Sequence, residues 1–453
     1  MNTPEHKHGT PSLLQAAANT DVRLEFPKTS FRTDSPALLL MLLPALLGFG
    51  FIAFGVIYAG SLRAVAFEFS WLFFAFTLIG AAISSKAPVV EEIKYLPKAY
   101  LVVFFLFACV WAYTTIFVAP SSRQANYASG IGITAILAGL ASAALKRRFG
   151  NQIIIKLSWA LFIAMLLHAP SWIWLYALEG GNPTFDWNHS SPGVPSLRMY
   201  SYLVEAGIAA GLGLFFLTGI HDRQKRRILY LGTTILWMLL MWSGGRGGVF
   251  ALLALLPVAS VIVPEFISKM WKFVFSTLAL GAGLSMLLPL PSGDFGILRR
   301  IANDVNSNSL NDLSTNRLTI WADAYSVFLD RPIFGYGVAQ YRHITQNPEL
   351  VKMEQAHNIV LESLMSFGLV GTVALVFLLG KIWFTAAFRL RSNQSLATLP
   401  VFLISTTLLV HGLVSGTYYQ IHSVFIIAIS LGLLLHVHEK PPSQPIKHPR
   451  NET

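Results

Sequence analysis

Two arginines are the strongest candidates in this chain for binding an anion. One is flanked by glycines and the other stands near the start of a predicted helix. Arg246 stands in the run Ser-Gly-Gly-Arg-Gly-Gly at 243–248, where glycines let a ligand come close to the backbone. Arg317 stands near the start of a predicted helix, where free backbone N–H groups already favour an anion. Because guanidinium groups make bidentate, charge-assisted hydrogen bonds to phosphate, this pair would suit a pyrophosphate.

A histidine just before an apolar segment is the candidate proton acceptor. His357 precedes a helix predicted from residue 360, so its imidazole should lie at the membrane–water boundary, where it could act as a general base. We expect Asn358 to cap that helix and Glu354, one turn back, to orient the imidazole.

Each of these residues also has a purely structural interpretation. Arg246 could snorkel to lipid headgroups, Arg317 could be a solvated loop charge, and His357 could be an interface residue. Arg198 is a further candidate for binding substrate, but it lies seven residues before Glu205 on one helical face, so these two could pair inside the bundle. Two other ionisable residues at membrane level have no role that the sequence assigns: Glu68 and His411.

The elements that must position these residues are membrane helices. Hydrophobic residues make up 54% of the chain and charged residues 12%, which excludes a soluble core with a charged surface. Only helices can use apolar runs of about twenty residues in a membrane. We predict an all-α polytopic membrane protein with about twelve helices, near 36–60, 64–84, 97–119, 126–145, 152–178, 197–220, 227–243, 248–264, 268–290, 360–388, 398–417 and 420–437.

The distribution of basic residues orients these helices. Residues 1–35 form a polar tail with no cleavable apolar region, and the first helix is predicted to be a retained signal anchor. With that tail inside, one face carries 23 of the 33 basic residues, so the positive-inside rule places it in the cytoplasm. Both termini, including the tail 438–453, are then cytoplasmic, and 36–437 is the transmembrane domain. Topology therefore explains the net charge of +11 without nucleic acid.

The opposite face carries the longest loop, residues 291–356 between the ninth and tenth spans. Its own helix is predicted to start at a Ser314 or Thr315 cap and to continue through Trp321 until Asp330 and Pro332 end it. The loop is therefore structured. No metal site is expected, because the stretch from Asp304 lacks the glycine and glutamate of a calcium loop. The chain has no Walker glycine loop, and its single cysteine, Cys109, can form no internal disulfide.

Taken together, these pieces resemble the O-antigen ligase and O-antigen polymerase superfamily of bacterial envelope glycosyltransferases, over roughly residues 197–379. The resemblance rests on four motifs. The first departs from the common pattern, because it has Gly245 where members often have serine. The motifs are Ser-Gly-Gly-Arg-Gly-Gly at 243–248, Asn316-Arg317 with Trp321, Arg-Pro-Ile-Phe-Gly-Tyr-Gly at 331–337, and His357-Asn358 followed by Glu-Ser-Leu-Met-Ser-Phe-Gly-Leu-Val-Gly at 362–371.

The resemblance implies a metal-independent transfer of a glycan from an undecaprenyl pyrophosphate carrier at the periplasmic face of the bacterial inner membrane, with no cofactor. Arg246 and Arg317 would hold the pyrophosphate, Arg198 would assist, and His357 would activate the acceptor hydroxyl. The acceptor would be lipid A–core in an O-antigen ligase, or a lipid-linked repeat unit in an O-antigen or exopolysaccharide polymerase. Protein O-glycosylation has less support because no added periplasmic domain is visible. A secondary transporter, which would use charge near the midplane, is the alternative from another class.

Overall fold

The computed structural model describes residues 60–87, 94, 96–182, 184–189, 191, 194, 196–218, 222–293, 295–305 and 316–435, without side chains at 60–70 and 303–305. The predicted tails, the first span at 36–60 and the proposed caps Ser314 and Thr315 lie outside these residues. So do the side chains of Glu68 and Asp304.

The described residues are mostly helical. In chain order the α-helices are α1 (Gly60–Ser84), α2 (Lys98–Tyr113), α3 (Ser122–Phe149), α4 (Gln152–Leu166), α5 (His168–Glu179), α6 (Leu197–Leu217), α7 (Arg223–Trp242), α8 (Arg246–Ile262), α9 (Phe266–Leu287), α10 (Ile297–Val305), α11 (Arg317–Asp330), α12 (Tyr341–Ile344), α13 (Ile359–Arg391), α14 (Leu399–Gly412) and α15 (Ile421–Leu434).

Length and hydropathy identify the helices that can cross a membrane. Six segments of the described chain qualify: Lys98–Val118, Ser122–Phe149, Gln152–Glu179, Leu197–Leu217, Phe266–Leu287 and Ile359–Arg391. Four more apolar helices are shorter: Trp71–Ser84, Arg246–Ile262, Leu396–Gly412 and Ile421–Leu434. The chain is therefore a helical, multi-pass membrane protein, and the number of twelve spans stays a prediction.

The centre of the bundle is α6, whose residues from Tyr200 to Phe215 are all buried. Small residues make this possible, because a Cβ atom at Gly211 would lie 2.7 Å from the Thr233 hydroxyl and 2.8 Å from the Phe162 ring. Such close helix approach is how membrane helices gain packing energy without a hydrophobic drive. The helix α6 thus packs closely against its neighbours, and Arg198 lies in its first turn.

A break in α13 anchors the segment that follows α11. Gly368 leaves helical geometry with a φ of 60°, and residues 332–337 dock against the break. Four backbone hydrogen bonds join the two segments: Tyr336 N to Met365 O at 2.7 Å, Gly337 N to Ser366 O at 2.8 Å, Leu369 N to Pro332 O at 2.7 Å and Val370 N to Ile333 O at 3.2 Å. Backbone groups freed by the break are satisfied in this way, as a membrane-level helix requires.

The helix predicted inside the long loop is present as α11, and it ends at Asp330 as expected. It packs by Ile320, Ala324 and Val327 into a small apolar cluster that includes Tyr341 and Met365. Since Met365 belongs to α13, the cluster fixes α11 against the helix that follows His357.

Candidate functional site

The site is built around a contact between Arg198 and His357. Nη1 of Arg198 lies 3.2 Å from Nε2 of His357, although the two residues are 159 positions apart in the chain. His357 is only 8% exposed, whereas Arg198 is exposed. Ser196 caps α6 by accepting from the Met199 N–H, and this cap sets the direction in which Arg198 leaves the helix.

The backbone around His357 is held from both sides. His357 has a φ of 52°, in the left-handed region that costs a non-glycine residue free energy. The Glu362 carboxylate accepts from the Ala356 N–H at 2.9 Å, just before the strained residue. Asn358 caps α13 by accepting from the Val360 and Leu361 N–H groups at 2.9 and 3.1 Å, as predicted, and its amide donates to the Leu413 carbonyl.

Glu354 does not orient the imidazole, in contrast to the prediction. Its carboxylate accepts from Arg342 at 3.5 Å, and both side chains are partly exposed. The Nδ1 atom of His357 is buried without a hydrogen-bond partner in the described chain. The carboxylate that fixes this loop is instead Glu362, which acts through the backbone.

Arg246 begins α8, directly after a turn in which Gly244 has a φ of 73°. The next two residues, Gly247 and Gly248, leave no room for a side chain, because buried Glu205 and His411 lie against them. A Cβ atom at Gly248 would lie 2.7 Å from Oε2 of Glu205, and one at Gly247 would overlap the His411 ring. The glycines of the 243–248 run therefore let the Arg246 turn sit on this pair.

The expected pairing of Arg198 with Glu205 does not occur. Glu205 bonds to Nδ1 of His411, at 2.7 Å from Oε2 and 2.9 Å from Oε1, rather than to Arg198. Glu205 is 0% and His411 2% exposed, so both members are removed from solvent. A buried carboxylate that meets an imidazole avoids most of the cost of an isolated buried charge. Both groups thus have a structural role under the Arg246 turn.

Arg317 completes the cationic site, together with a residue that the sequence did not single out. Arg317 lies within electrostatic range of Arg198 and Arg246, and also of Arg300 on α10. The Nη1 atom of Arg300 is 3.5 Å from the Gly244 carbonyl oxygen, so Arg300 reaches the Arg246 turn. The only sequence signal for Arg300 is the amphipathic pattern of residues 297–305, and that pattern does not say where the helix docks.

The accumulated positive charge acts on the titrating groups. Burial, and then the charges of Arg198 and Arg317, lower the pKa of His357 from its ordinary value of 6.5 to about 3. Burial and the charge of Arg198 lower the pKa of Arg317 to about 10, so its guanidinium still keeps its proton near neutral pH. The resting site therefore combines a neutral imidazole with cationic guanidinium groups.

This arrangement has the parts needed to bind an anion and to take up a proton. Arg198 contacts the imidazole of His357, and Arg317 lies within electrostatic range of it. Arg246, Arg300 and Tyr202 are each within electrostatic range of Arg317. In the described part of the chain no group of three or more His, Cys, Asp or Glu side chains is placed to hold a metal ion. The fold and site thus define a multi-pass helical membrane protein with a cluster of arginines beside a buried histidine, at the ends of several helices.

Comparison with known proteins finds a family match in part of the chain. Residues 231–376 match the family model described as O-antigen ligase, which confirms the resemblance to the O-antigen ligase and polymerase superfamily. The matched residues include Arg246, Arg300, Arg317 and His357, whereas Arg198 lies before them. A protein of Haemophilus influenzae described as uncharacterized is 29% identical over 153 residues, which are 30% of this chain and 37% of that relative. The chain thus spans little more than a third of that relative's length.

Proposed function

We propose that this protein is a glycosyltransferase that moves an undecaprenyl-pyrophosphate-linked, O-antigen-type glycan onto an acceptor hydroxyl at the periplasmic face of the inner membrane. The observation that carries the proposal is the contact of Arg198 with the buried imidazole of His357, with Arg317 within electrostatic range of that imidazole. Arg246 lies within electrostatic range of both arginines. The O-antigen ligase match over residues 231–376 supports the same reaction class.

The arginines would stabilise the leaving diphosphate. Each hydrogen bond from a charged donor contributes about 1.5–3 kcal/mol, and it contributes most where the charge develops in the transition state. Arg317 lies at the start of α11, where the helix dipole adds to the attraction for an anion. These residues provide the positive charge that other glycosyltransferases obtain from a metal ion, so we propose metal-independent transfer.

His357 would act as the base. The acceptor hydroxyl loses its proton to the imidazole as its oxygen bonds to the anomeric carbon, while the bond from that carbon to the diphosphate oxygen breaks with its electron pair. A positioned base contributes a rate factor of about 10²–10⁴. Since one base acts without a covalent nucleophile, we expect inversion at the anomeric centre, and a retained configuration in the product would contradict this step.

The acceptor that we favour is lipid A–core, which makes the protein an O-antigen ligase. The same site would serve a polymerase, with a second lipid-linked repeat unit as the acceptor. The glycolipids of a deletion strain distinguish the two. Carrier-bound long polymer beside bare lipid A–core indicates the ligase, whereas capping by single repeat units indicates the polymerase.

Substitution of His357 tests the proposal directly. His357→Ala should abolish glycan transfer in the deletion strain while the protein still inserts into the membrane. The matched control is His189→Ala, because His189 is exposed and paired with Asp186 in a surface turn. Normal surface glycan in the His357→Ala strain would remove His357 from the mechanism.

The same strains separate this enzyme from a transporter. A transporter would depend on ionisable groups deep in the bundle, where Glu205 and His411 instead bind each other beneath the Arg246 turn. If this protein were a transporter, another protein would transfer the glycan, and His357→Ala would leave that transfer intact.

A further inference from the structure

The contact between Arg198 and His357 fixes the protonation state of the imidazole. A guanidinium group has hydrogen-bond donors and no acceptor, so Nε2 of His357, 3.2 Å from Nη1 of Arg198, must accept through its lone pair. In the neutral imidazole the proton then sits on Nδ1. That atom is buried and has no hydrogen-bond partner among the described residues.

An imidazole in this state cannot serve as a base. Its one lone pair points at Arg198, and its other nitrogen already carries a proton. An acceptor hydroxyl that met His357 in this state would find no lone pair on the imidazole able to take its proton. The contact therefore has to open before the reaction proposed above can proceed.

The surroundings of Arg198 favour its opening by an anion. Its side chain is exposed, while the imidazole it covers is 8% exposed, so the guanidinium can leave without unpacking the core. Arg246 and Arg317 lie within electrostatic range of Arg198, so these like charges repel one another unless an anion lies between them. A diphosphate placed between them would attract Arg198 with two charge-assisted hydrogen bonds in exchange for one.

We propose that Arg198 masks the base of the empty enzyme, and that the diphosphate of the donor draws Arg198 off Nε2 of His357, so that the base forms only after the donor has bound. This inference rests on the proposed function. It assigns Arg198 two roles, since Arg198 blocks the imidazole before the donor binds and binds the leaving diphosphate afterwards.

The reaction then runs in a fixed order. Once Arg198 has moved, Nε2 of His357 accepts the proton of the acceptor hydroxyl as the new bond to the anomeric carbon forms. The electron pair of the broken bond stays on the diphosphate, and the imidazolium later releases its proton to water. The order prevents an acceptor from being deprotonated in a site that has no donor.

Chemical modification of His357 tests the mask. Diethyl pyrocarbonate acylates an imidazole nitrogen only through a free lone pair. The full chain in lipid nanodiscs at neutral pH would be treated with this reagent, with or without inorganic pyrophosphate as the probe. Mass spectrometry of the peptide that contains His357 gives the modification rate, with exposed His189 as the internal reference.

The expected pattern has three parts. Pyrophosphate should accelerate modification of His357 by roughly tenfold or more, since a hydrogen bond from a charged donor no longer occupies Nε2. Arg198→Met should give the fast rate without pyrophosphate. The control Arg123→Ala, which removes an exposed arginine elsewhere, should behave like the native chain. A native rate that pyrophosphate leaves unchanged or slows would overturn the proposal.

The modification rate is measured independently of glycan transfer, so failure of the mask can be distinguished from failure of the proposed function. A chain whose His357 is unmasked by pyrophosphate but is dispensable for transfer would refute the proposed function alone. A transferase whose His357 reacts fast in the empty enzyme would refute the mask alone. The comparison of the native chain with and without pyrophosphate needs no variant, so it tests the mask even if Arg198→Met fails to fold.

Discussion

At the scale of single residues, the site depends on the shape of the guanidinium group as well as on its charge. Arg317→Lys keeps the charge but loses the planar fork that grips a diphosphate in two places. We expect kcat/KM for the lipid-linked donor to fall roughly tenfold to a hundredfold, the cost of about one charge-assisted hydrogen bond. The measurement is the initial rate of transfer by the purified protein.

A matched control for this substitution is Arg331→Lys. Arg331 lies 4.9 Å from the Tyr336 ring centroid, a cation–π contact that a lysine can also make. The transfer rate of this variant should stay near that of the native chain. Equal rates for Arg317→Lys and the native chain would show that charge alone is sufficient at this position.

The lowered pKa of His357 predicts a particular dependence on pH. In the empty enzyme a pKa of about 3 keeps the imidazole neutral as the pH falls from 7 to 5, so kcat/KM for the donor should show no loss from this group. A bound diphosphate offsets the charges of Arg198 and Arg317 and raises the pKa of His357 again. The value of kcat/KM for the acceptor should therefore decline at a higher pH than that for the donor.

Initial rates between pH 5 and 8, with each substrate varied while the other is saturating, measure both profiles. If kcat/KM for the donor and kcat/KM for the acceptor declined at the same pH, the donor would have no effect on the pKa of His357.

Sequence reasoning found most of the cationic side chains but missed how they pair. Arg246, Arg317 and His357 stand out because glycines, a helix start and an apolar helix flank them, and these are local signals. The contact of Arg198 with His357 joins residues 159 positions apart, and no local pattern encodes it. The spacing of Arg198 and Glu205 suggested a pair, but one helical face can turn its two ends toward different partners, and Glu205 meets His411.

At the scale of elements, the docking of residues 332–337 on the broken helix α13 holds the site together. It connects the end of α11, which begins with Arg317, to the helix that follows His357. Gly335 is essential to this joint, because its φ is 73° and a Cβ atom would lie 2.5 Å from the Met365 carbonyl oxygen. Gly368 on the other side has the same restriction.

Gly335→Ala should therefore destabilise the protein by about 1–3 kcal/mol from backbone strain, with a further cost from overlap with α13. Transfer should fall as well, because Arg317 loses its position relative to His357. The measurement is the thermal unfolding temperature of the purified protein, together with its transfer rate. Gly181→Ala is the control, since a Cβ atom there meets nothing within 4 Å. If both variants unfold at the native temperature, the joint has no structural importance.

The helices themselves were predictable, because a backbone in lipid must satisfy its own hydrogen bonds and an apolar run leaves no alternative to a helix. The expected segment at 97–119 lies on the described span Lys98–Val118, and the one at 268–290 on Phe266–Leu287. The break at Gly368 was not predictable, because the glycine stands in an apolar run whose hydropathy does not change. Its cause is the remote segment 332–337, whose hydrogen bonds replace those of the helix.

At the scale of the whole molecule, the proposed chemistry requires the site to face the periplasm. The only basis for this orientation is the bias of basic residues, which assigns the loop with His189 to the outside and the turn with Lys225 to the cytoplasm. Both side chains are well exposed, with His189 at 75% and Lys225 at 59%. They can therefore report which side of the membrane each loop occupies.

Cysteine labelling tests the orientation, because Cys109 is the single cysteine and Cys109→Ala gives a chain without a reactive thiol. In that background, a membrane-impermeant maleimide should label His189→Cys and Glu354→Cys in spheroplasts, and Lys225→Cys only after lysis. Glu354 is 51% exposed and lies three residues before His357, so its labelling reports the side on which the base lies. Protection of Glu354→Cys alongside labelling of Lys225→Cys would place His357 in the cytoplasm, where a donor already flipped to the outer leaflet could not reach it.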